Sequence, residues 1–235
     1  MISEQKIYGI VPAAGKGSRA GGGLNKVFRE LAGRPLLLRT LDALYNTGLF
    51  ERIVVVVSKE NLILAREMLA EFKSVVLVIG GERRQDSVRN ALNYLESEIQ
   101  VDSSAYVVIH DAARCFVSPA LVKATLAAAI ESGAASAGLP CIDSLKEVDN
   151  NNLVVRSVDR NSYWIVQTPQ VFSLAVLLKA HAELDGEFTD DASMVEQFST
   201  VRMVLGERTN IKVTYPEDFE LGEILCKQKQ QSSNF

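Results

Sequence analysis

Four short apolar runs, Ile7 to Ala14, Ile53 to Val57, Val75 to Ile79 and Tyr106 to Ile109, punctuate the first half of the chain. Each is almost continuously apolar instead of alternating, the pattern of strands covered on both faces, as in a parallel sheet. Between them the period changes to that of a helix. Pro35 to Tyr45 places Leu37, Leu38, Leu41 and Leu44 at spacings of three and four, and Leu62 to Phe72, Ser87 to Leu95 and Pro119 to Ile130 repeat the pattern. This alternation confines the chain to the α/β class: a mostly parallel, Rossmann-like twisted sheet flanked by helices. Right-handed crossovers then gather the strand-to-helix loops at the carboxyl edge of the sheet, where ligands bind in open α/β folds.

After Pro140 the rhythm breaks. Ser144 to Val148 and Leu153 to Val158 are β-prone and are separated by Asn150, Asn151 and Asn152, which tolerate the left-handed backbone of a tight turn. They predict a β-hairpin arm projecting at about residues 141–164. Two exposed strands are marginal alone and need a packing partner, and a second copy of the chain is the simplest one, so a homodimer through the arm is expected. Tyr163 and Trp164 read as packing that arm. Ser173 to Leu184 and Asp190 to Phe198 then read as helices, Val201 to Leu205 and Ile211 to Thr214 as strands, and Pro216 to Cys226 as a last helix with proline in its first position. The polar ending KQKQQSSNF reads as disordered, which leaves one domain over residues 1–230 and a disordered tail at 231–235.

Bulk composition narrows the function classes. A chain of 235 residues, 47% hydrophobic, can bury a full core. With a net charge of −4 it has no global basic field for nucleic acid or anionic lipid, so any phosphate chemistry must rest on local clusters of Arg and Lys. Cys115, Cys141 and Cys226 form no C-x-x-C pair, offer no readable zinc site and leave one thiol over under any bridging scheme, as expected in a reducing cytoplasm. The opening MISEQKIYGIVPAAG carries an acid before an apolar run broken by Gly9 and Pro12, unlike a signal peptide, and no stretch approaches the roughly 20 apolar residues of a membrane span.

The stretch GIVPAAGKGSRAGGGLNK, residues 9 to 26, holds six glycines with Lys16, Arg19 and Lys26 just past the first strand. Glycine costs backbone entropy on folding, so such a cluster reads either as a flexible surface turn or as a loop to which a ligand comes close. A dinucleotide turn requires G-x-G-x-x-G, whereas Gly15, Gly17 and Gly21 space as G-x-G-x-x-x-G, which weakens an NAD-linked oxidoreductase reading. A Walker loop requires lysine after its second glycine, yet Gly22 is followed by Gly23. What remains is a strand ending in P-A-A-G, whose small residues let backbone amides meet a base or a phosphate. Arg19 and Lys26 can then bracket a triphosphate with one fork and one point charge.

The run A-A-G-x-G-x-R followed by a lysine resembles the nucleotidyltransferases that join an NTP to a phosphorylated small molecule. GGERRQDSVRNAL (80–92), VIHDAAR (108–114), DSLKEV (143–148), RNSYWIVQTPQVF (160–172), FTDDASMVE (188–196) and GERTNIKVTYPEDF (206–219) are, in this order, similar to the 2-C-methyl-D-erythritol 4-phosphate cytidylyltransferases of isoprenoid biosynthesis. One departure is visible: Asn25 stands where the family's pattern has a proline before the loop lysine.

The resemblance implies transfer of CMP from CTP to methylerythritol phosphate with release of pyrophosphate, a divalent cation such as Mg²⁺ held mainly by the triphosphate, and a homodimer. It implies that Arg19, Lys26 and Lys212 act on the reacting phosphates, and that Pro12, Ala13, Ala14, Gly15, Gly17, Gly81, Glu82, Ser87, Asp111 and Ala112 hold the nucleotide. It implies that Asp111, Arg114, Ser144, Arg160, Thr168, Thr189 and Lys212 hold the acceptor, with Asp111 also a candidate metal ligand. Several of these residues have a simpler reading beside this one. Taken in isolation, Arg19 reads as a solvated loop charge and Lys26 as a surface residue at a helix start, but together after P-A-A-G they favour function. Ser87 and Asp111 can also be read as helix or turn caps, with function ahead for Asp111, and Arg160 without its motif as an edge charge that opposes aggregation. A ribitol 5-phosphate cytidylyltransferase and a catalytically silent CTP-binding module are the alternatives to be separated by assay.

Overall fold

The computed structural model describes residues 5–15, 25–102 and 104–232. Gly17 and Arg19 of the glycine loop, and the end of the tail, lie outside the described residues. In chain order the elements are β1 (Ile7–Pro12), β2 (Glu30–Leu31), β3 (Arg34–Pro35), α1 (Leu36–Tyr45), β4 (Arg52–Val57), α2 (Leu62–Met68), β5 (Val75–Ile79), α3 (Arg84–Ser97), β6 (Tyr106–Ile109) and α4 (Pro119–Ser132). There follow β7 (Ala134–Pro140), β8 (Leu145–Val148), β9 (Val154–Val158), β10 (Trp164–Ser173), α5 (Leu174–Glu183), α6 (Asp191–Val195), β11 (Arg202–Leu205) and α7 (Pro216–Ser232).

Seven strands form one sheet in the order β11-β7-β10-β6-β1-β4-β5. β1 pairs in parallel with β4 and β6, β4 with β5, and β11 with β7, while β10 runs antiparallel to both of its neighbours. The continuous apolar runs are explained by the pleat. In β4, Val54 and Val56 enter the core under α3 and α5, whereas Ile53, Val55 and Val57 enter the core under α1 and α4. Both faces are dry, so every position must be apolar.

Helix boundaries follow local chemistry. The Ser118 hydroxyl accepts from the Leu121 amide at 3.0 Å, Pro119 takes the first turn, and Gly133 closes α4 at φ +85°. β7 starts at once after that glycine.

The structure departs from the sequence expectations in three places. β7 was not foreseen because AASAGLP lacks β-branched residues, and its strand geometry comes from burial between β10 and β11. Ile211 to Thr214 is no strand: among the described residues its one backbone bond to a neighbour joins the Val213 amide to the Ala113 carbonyl at 2.9 Å. The disordered ending is corrected as well, since α7 continues through Ser232 and takes up residues expected to be tail. Lys and Gln are good helix formers despite their polarity.

The predicted hairpin forms as β8 and β9, with Asn152 at φ +63° in its turn and the Asp149 carboxylate accepting from the Asn151 and Leu153 amides at 2.9 Å. It is a separate two-stranded sheet. Leu153, Val154 and Val155 are each more than 60% exposed on it.

Candidate functional site

A cavity of about 360 Å³ opens at the carboxyl ends of β1 and β6. One wall is formed by Pro12, Ala13, Ala14 and Gly15, where β1 ends. Opposite lie Gly81, Glu82, Arg83, Arg84 and Ser87, at the start of α3. Asp111, Ala112 and Ala113 after β6, Lys26 and Val27, and Lys212 with Thr214 complete it. The described nucleotide-site residues expected from sequence therefore meet in one place, together with Lys26 and Lys212.

The wall at α3 is built on close approach. A Cβ on Gly81 would lie 2.4 Å from Asp86 Cβ, a distance real side chains do not tolerate, so only glycine fits. Ser87 is not the helix cap. That place belongs to Arg83, whose amide donates to Asp86 Oδ2 at 3.1 Å and whose guanidinium grips both Asp86 oxygens at 2.9 and 2.8 Å. The Arg83 pair holds the Asp86 carboxyl down to about 2. Ser87 Oγ instead accepts from the Gly81 amide and donates to the Arg83 carbonyl, each at 3.2 Å, which fixes the turn it shares with them.

Asp111 is the electrostatic centre. Lys212 Nζ lies 2.9 Å and Arg114 Nε 3.5 Å from its Oδ2, and Arg84 Nε lies 3.8 Å from Oδ1. Burial pushes this carboxyl upward, but Lys212, Arg84 and Arg114 outweigh it and hold it far below the usual carboxylate range. Arg84 is held from behind by Asp191, 2.5 Å from its Nη1 and 1% exposed. Burial raises the Asp191 carboxyl and Arg84 more than reverses that. The first acid of FTDDAS thus serves as a cap, Asp190 accepting from the Ser193 amide at 2.8 Å, and the second as the seat of Arg84.

The turn after β6 is tied by a chain of bonds. His110 Nε2 faces the Arg114 carbonyl at 2.9 Å, and a carbonyl only accepts, so this nitrogen carries the proton. Nδ1 then accepts from Thr168 Oγ1 at 3.1 Å, and Thr168 Oγ1 accepts from the Asp111 amide at 3.1 Å. Burial lowers the His110 pKa to about 4, against a weaker opposing pull from the Arg114 carbonyl, so the ring is neutral. Arg114 also donates to the Asn210 carbonyl at 2.9 Å, which draws the segment bearing Lys212 to the pocket.

On the other side, Asn25 Nδ2 donates to the Gly15 carbonyl at 2.7 Å and to the Ala13 carbonyl at 3.3 Å, while its Oδ1 accepts from the Val27 amide at 3.3 Å.

Several expected residues stand elsewhere. Ser144 and Arg160 are exposed on the arm, where Arg160 Nη1 donates to the Ile142 carbonyl at 2.5 Å; Thr189 is exposed before α6. None of the three lines the cavity, and Arg114 and Thr168 brace its wall from behind. Sequence reasoning passed over Arg83, Arg84 and Asp191. A signal was present: two arginines at the start of a helix oppose its dipole, and a local conflict of that kind marks function.

Lys26, Arg83, Arg84 and Lys212 face the cavity against Glu82 and Asp111, and the amino end of α3 adds its positive dipole. Such a site accepts a polyanion, and its glycine and alanine walls admit a flat base.

Comparison with known proteins agrees. A model of the family described as 2-C-methyl-D-erythritol 4-phosphate cytidylyltransferase matches residues 7–228. A relative of that name from Dehalococcoides mccartyi is 37% identical over 97% of this chain and 99% of its own, and one from Bacillus mycoides is 39% identical over 91% and 95%. Among solved structures, the Thermus thermophilus enzyme of that name superposes with a TM-score of 0.74 at 33% identity over 95% of this chain and 100% of that one. With its motifs in order, its cations gathered at one sheet edge and its length matched almost throughout, this chain belongs to the 2-C-methyl-D-erythritol 4-phosphate cytidylyltransferase family.

Proposed function

We propose that this chain transfers CMP from CTP to 2-C-methyl-D-erythritol 4-phosphate, forming 4-diphosphocytidyl-2-C-methyl-D-erythritol and pyrophosphate. Family membership supports the reaction, and the observation that carries it is the convergence of Lys26, Arg84 and Lys212 on one cavity with small backbone walls. An oxygen of the acceptor's phosphate attacks the α-phosphorus of CTP, a new phosphorus–oxygen bond forms, and the bond to the departing pyrophosphate breaks. The monoester's second pKa is about 6, so at neutral pH it is already mostly dianionic and no base is required. Neither histidine lines the cavity, and His110 is held in the wall behind it. The protein's task is charge cancellation. Each cation brought within 4 Å of an anionic oxygen contributes about 4 kcal/mol at an effective dielectric of 20. Lys26 and Lys212 serve the reacting phosphates, joined by Arg19 from the loop outside the described residues.

Mg²⁺ enters with the triphosphate in this reading. Asp111 fits as its protein ligand, since Oδ1, with Arg84 Nε at 3.8 Å, retains acceptor capacity; among the described residues no cluster of three His, Cys, Asp or Glu side chains gathers to hold a metal. Bound there, the ion neutralises triphosphate charge while keeping most of its coordination for water and phosphate.

The chain acts as a homodimer in which the arm reaches a second copy and Arg160 and Ser144 complete that copy's acceptor site, with Thr189 beside them. The exposed Val154 and Val155 of β9, together with the exposed Ile142 and Ile165, support this. A cytoplasmic location accords with three free cysteines, and among the described residues no helix is long and apolar enough to cross a membrane.

A turnover assay with CTP and Mg²⁺ tests the reading, offering methylerythritol phosphate and ribitol 5-phosphate in parallel. Pyrophosphate release with the first acceptor is expected. Preference for ribitol 5-phosphate, or CTP binding without pyrophosphate, would overturn it.

A further inference from the structure

We propose that Asn25 is a positioning residue for cytidylyl transfer: its carboxamide locks the turn that carries Lys26 to the Ala13–Gly15 wall of the cavity. The inference rests on the transfer activity argued above. Asn25 is 8% exposed, and a buried amide must find partners for its donors and acceptor. The partners at one end are main-chain carbonyls, those of Gly15 at 2.7 Å and Ala13 at 3.3 Å, so the nitrogen must face them. At the other end Oδ1 accepts from the Val27 amide and caps the short 3-10 turn Lys26–Phe28.

Each end is itself anchored. The Ala13 amide donates to the Val56 carbonyl of β4 at 2.7 Å, and Val27 and Phe28 are buried in the core beneath α1. One side chain therefore spans the two places where the backbone enters and leaves residues 16–24. It joins the wall that meets the nucleotide to the residue that brings an ammonium group to it. Lysine is a point charge on a flexible stem, and its effect on a transition state depends on where the turn aims it. The Asn25 side chain itself is not among the residues lining the cavity. It acts through Lys26.

The carboxamide's two functions can be separated. Asn25→Asp keeps an acceptor for the Val27 amide but replaces both donors with lone pairs that face two carbonyls. Asn25→Gln keeps the donors on a longer stem, and Asn25→Ala removes everything. Each variant is compared with wild type, Lys26→Ala and the double variant Asn25→Ala/Lys26→Ala, with steady-state kinetics in both substrates and circular dichroism as the folding control.

The expectation is that Asn25→Ala and Asn25→Asp lower kcat about tenfold or more with the KM for methylerythritol phosphate within about threefold, that Asn25→Gln falls between them and wild type, and that the double variant is no slower than Lys26→Ala alone. Wild-type kcat in Asn25→Asp would reduce the residue to a cap. A loss in Asn25→Ala that adds in full to that of Lys26→Ala would show that it acts elsewhere; either result overturns the proposal. If Asn25→Ala does not fold, the order of Gln and Asp decides, and Asp equal to or faster than Gln refutes. Absence of product from wild type would count against the reaction itself and not against the clamp.

Discussion

Replacing Asp111 by Asn probes the electrostatic centre directly. The substitution keeps the shape and removes the one anion that Lys212, Arg114 and Arg84 share at 2.9, 3.5 and 3.8 Å. At an effective dielectric of 20 the Lys212 contact alone is worth about 6 kcal/mol in Coulomb energy, much of it offset by the cost of burying the carboxylate. Removing one partner of a buried charge network costs about 3–5 kcal/mol, and Lys212, 43% exposed, is partly screened, so about 3 kcal/mol is the expected loss of stability. For a chain of this size that lowers the melting midpoint by roughly 6–12 °C. Lys212 and Arg114 then lose this counter-ion, while Arg84 keeps Asp191, and CTP supplies a new one. Thermal unfolding with and without CTP, in EDTA, should show a larger ligand-induced rise in the variant than in wild type, because binding also relieves the repulsion. High salt should shrink the difference between the proteins. A variant that melts within about 2 °C of wild type, or gains less from CTP than wild type does, would refute this account of the site.

Three further tests follow from other parts of the molecule. His110 has its folded pKa lowered to about 4 while the unfolded chain titrates near 6.5, so its contribution to stability is present above pH 6.5 and falls by roughly 3 kcal/mol down to pH 4. In urea unfolding at pH 7 and 4.5, His110→Gln should lose less between the two pH values than wild type, and equal losses would clear His110 of the effect. Gly81→Ala forces a Cβ to within 2.4 Å of Asp86 Cβ and should raise the KM for CTP about tenfold by shifting the wall at α3; an unchanged KM would mean that this wall does not meet the nucleotide. Deleting the arm between Asp143 and Arg160 should yield monomers with weak acceptor affinity, and a dimer still seen by light scattering would contradict the proposed assembly.

The fold class was legible in the sequence because strands covered on both faces require unbroken apolar runs, and the runs at β1, β4, β5 and β6 are such runs. The hairpin was legible through its asparagine turn, and the cavity wall through P-A-A-G, the glycine pair and Asp111. Other features were decided only by tertiary structure, since a local pattern encodes which faces are buried but not which neighbour covers them. β10 enters the middle of the sheet against the direction of its neighbours, and β7 is a strand only because β10 and β11 flank it. Arg84 reaches Asp191 from more than 100 positions away in the chain, and Lys212 reaches Asp111 across a similar gap. The roles of Ser87, Thr168 and Asn25 likewise belong to the folded state. A hydroxyl or carboxamide has no assigned partner in a sequence, and acquires one when the fold brings an amide or a carbonyl within 3 Å or so of it.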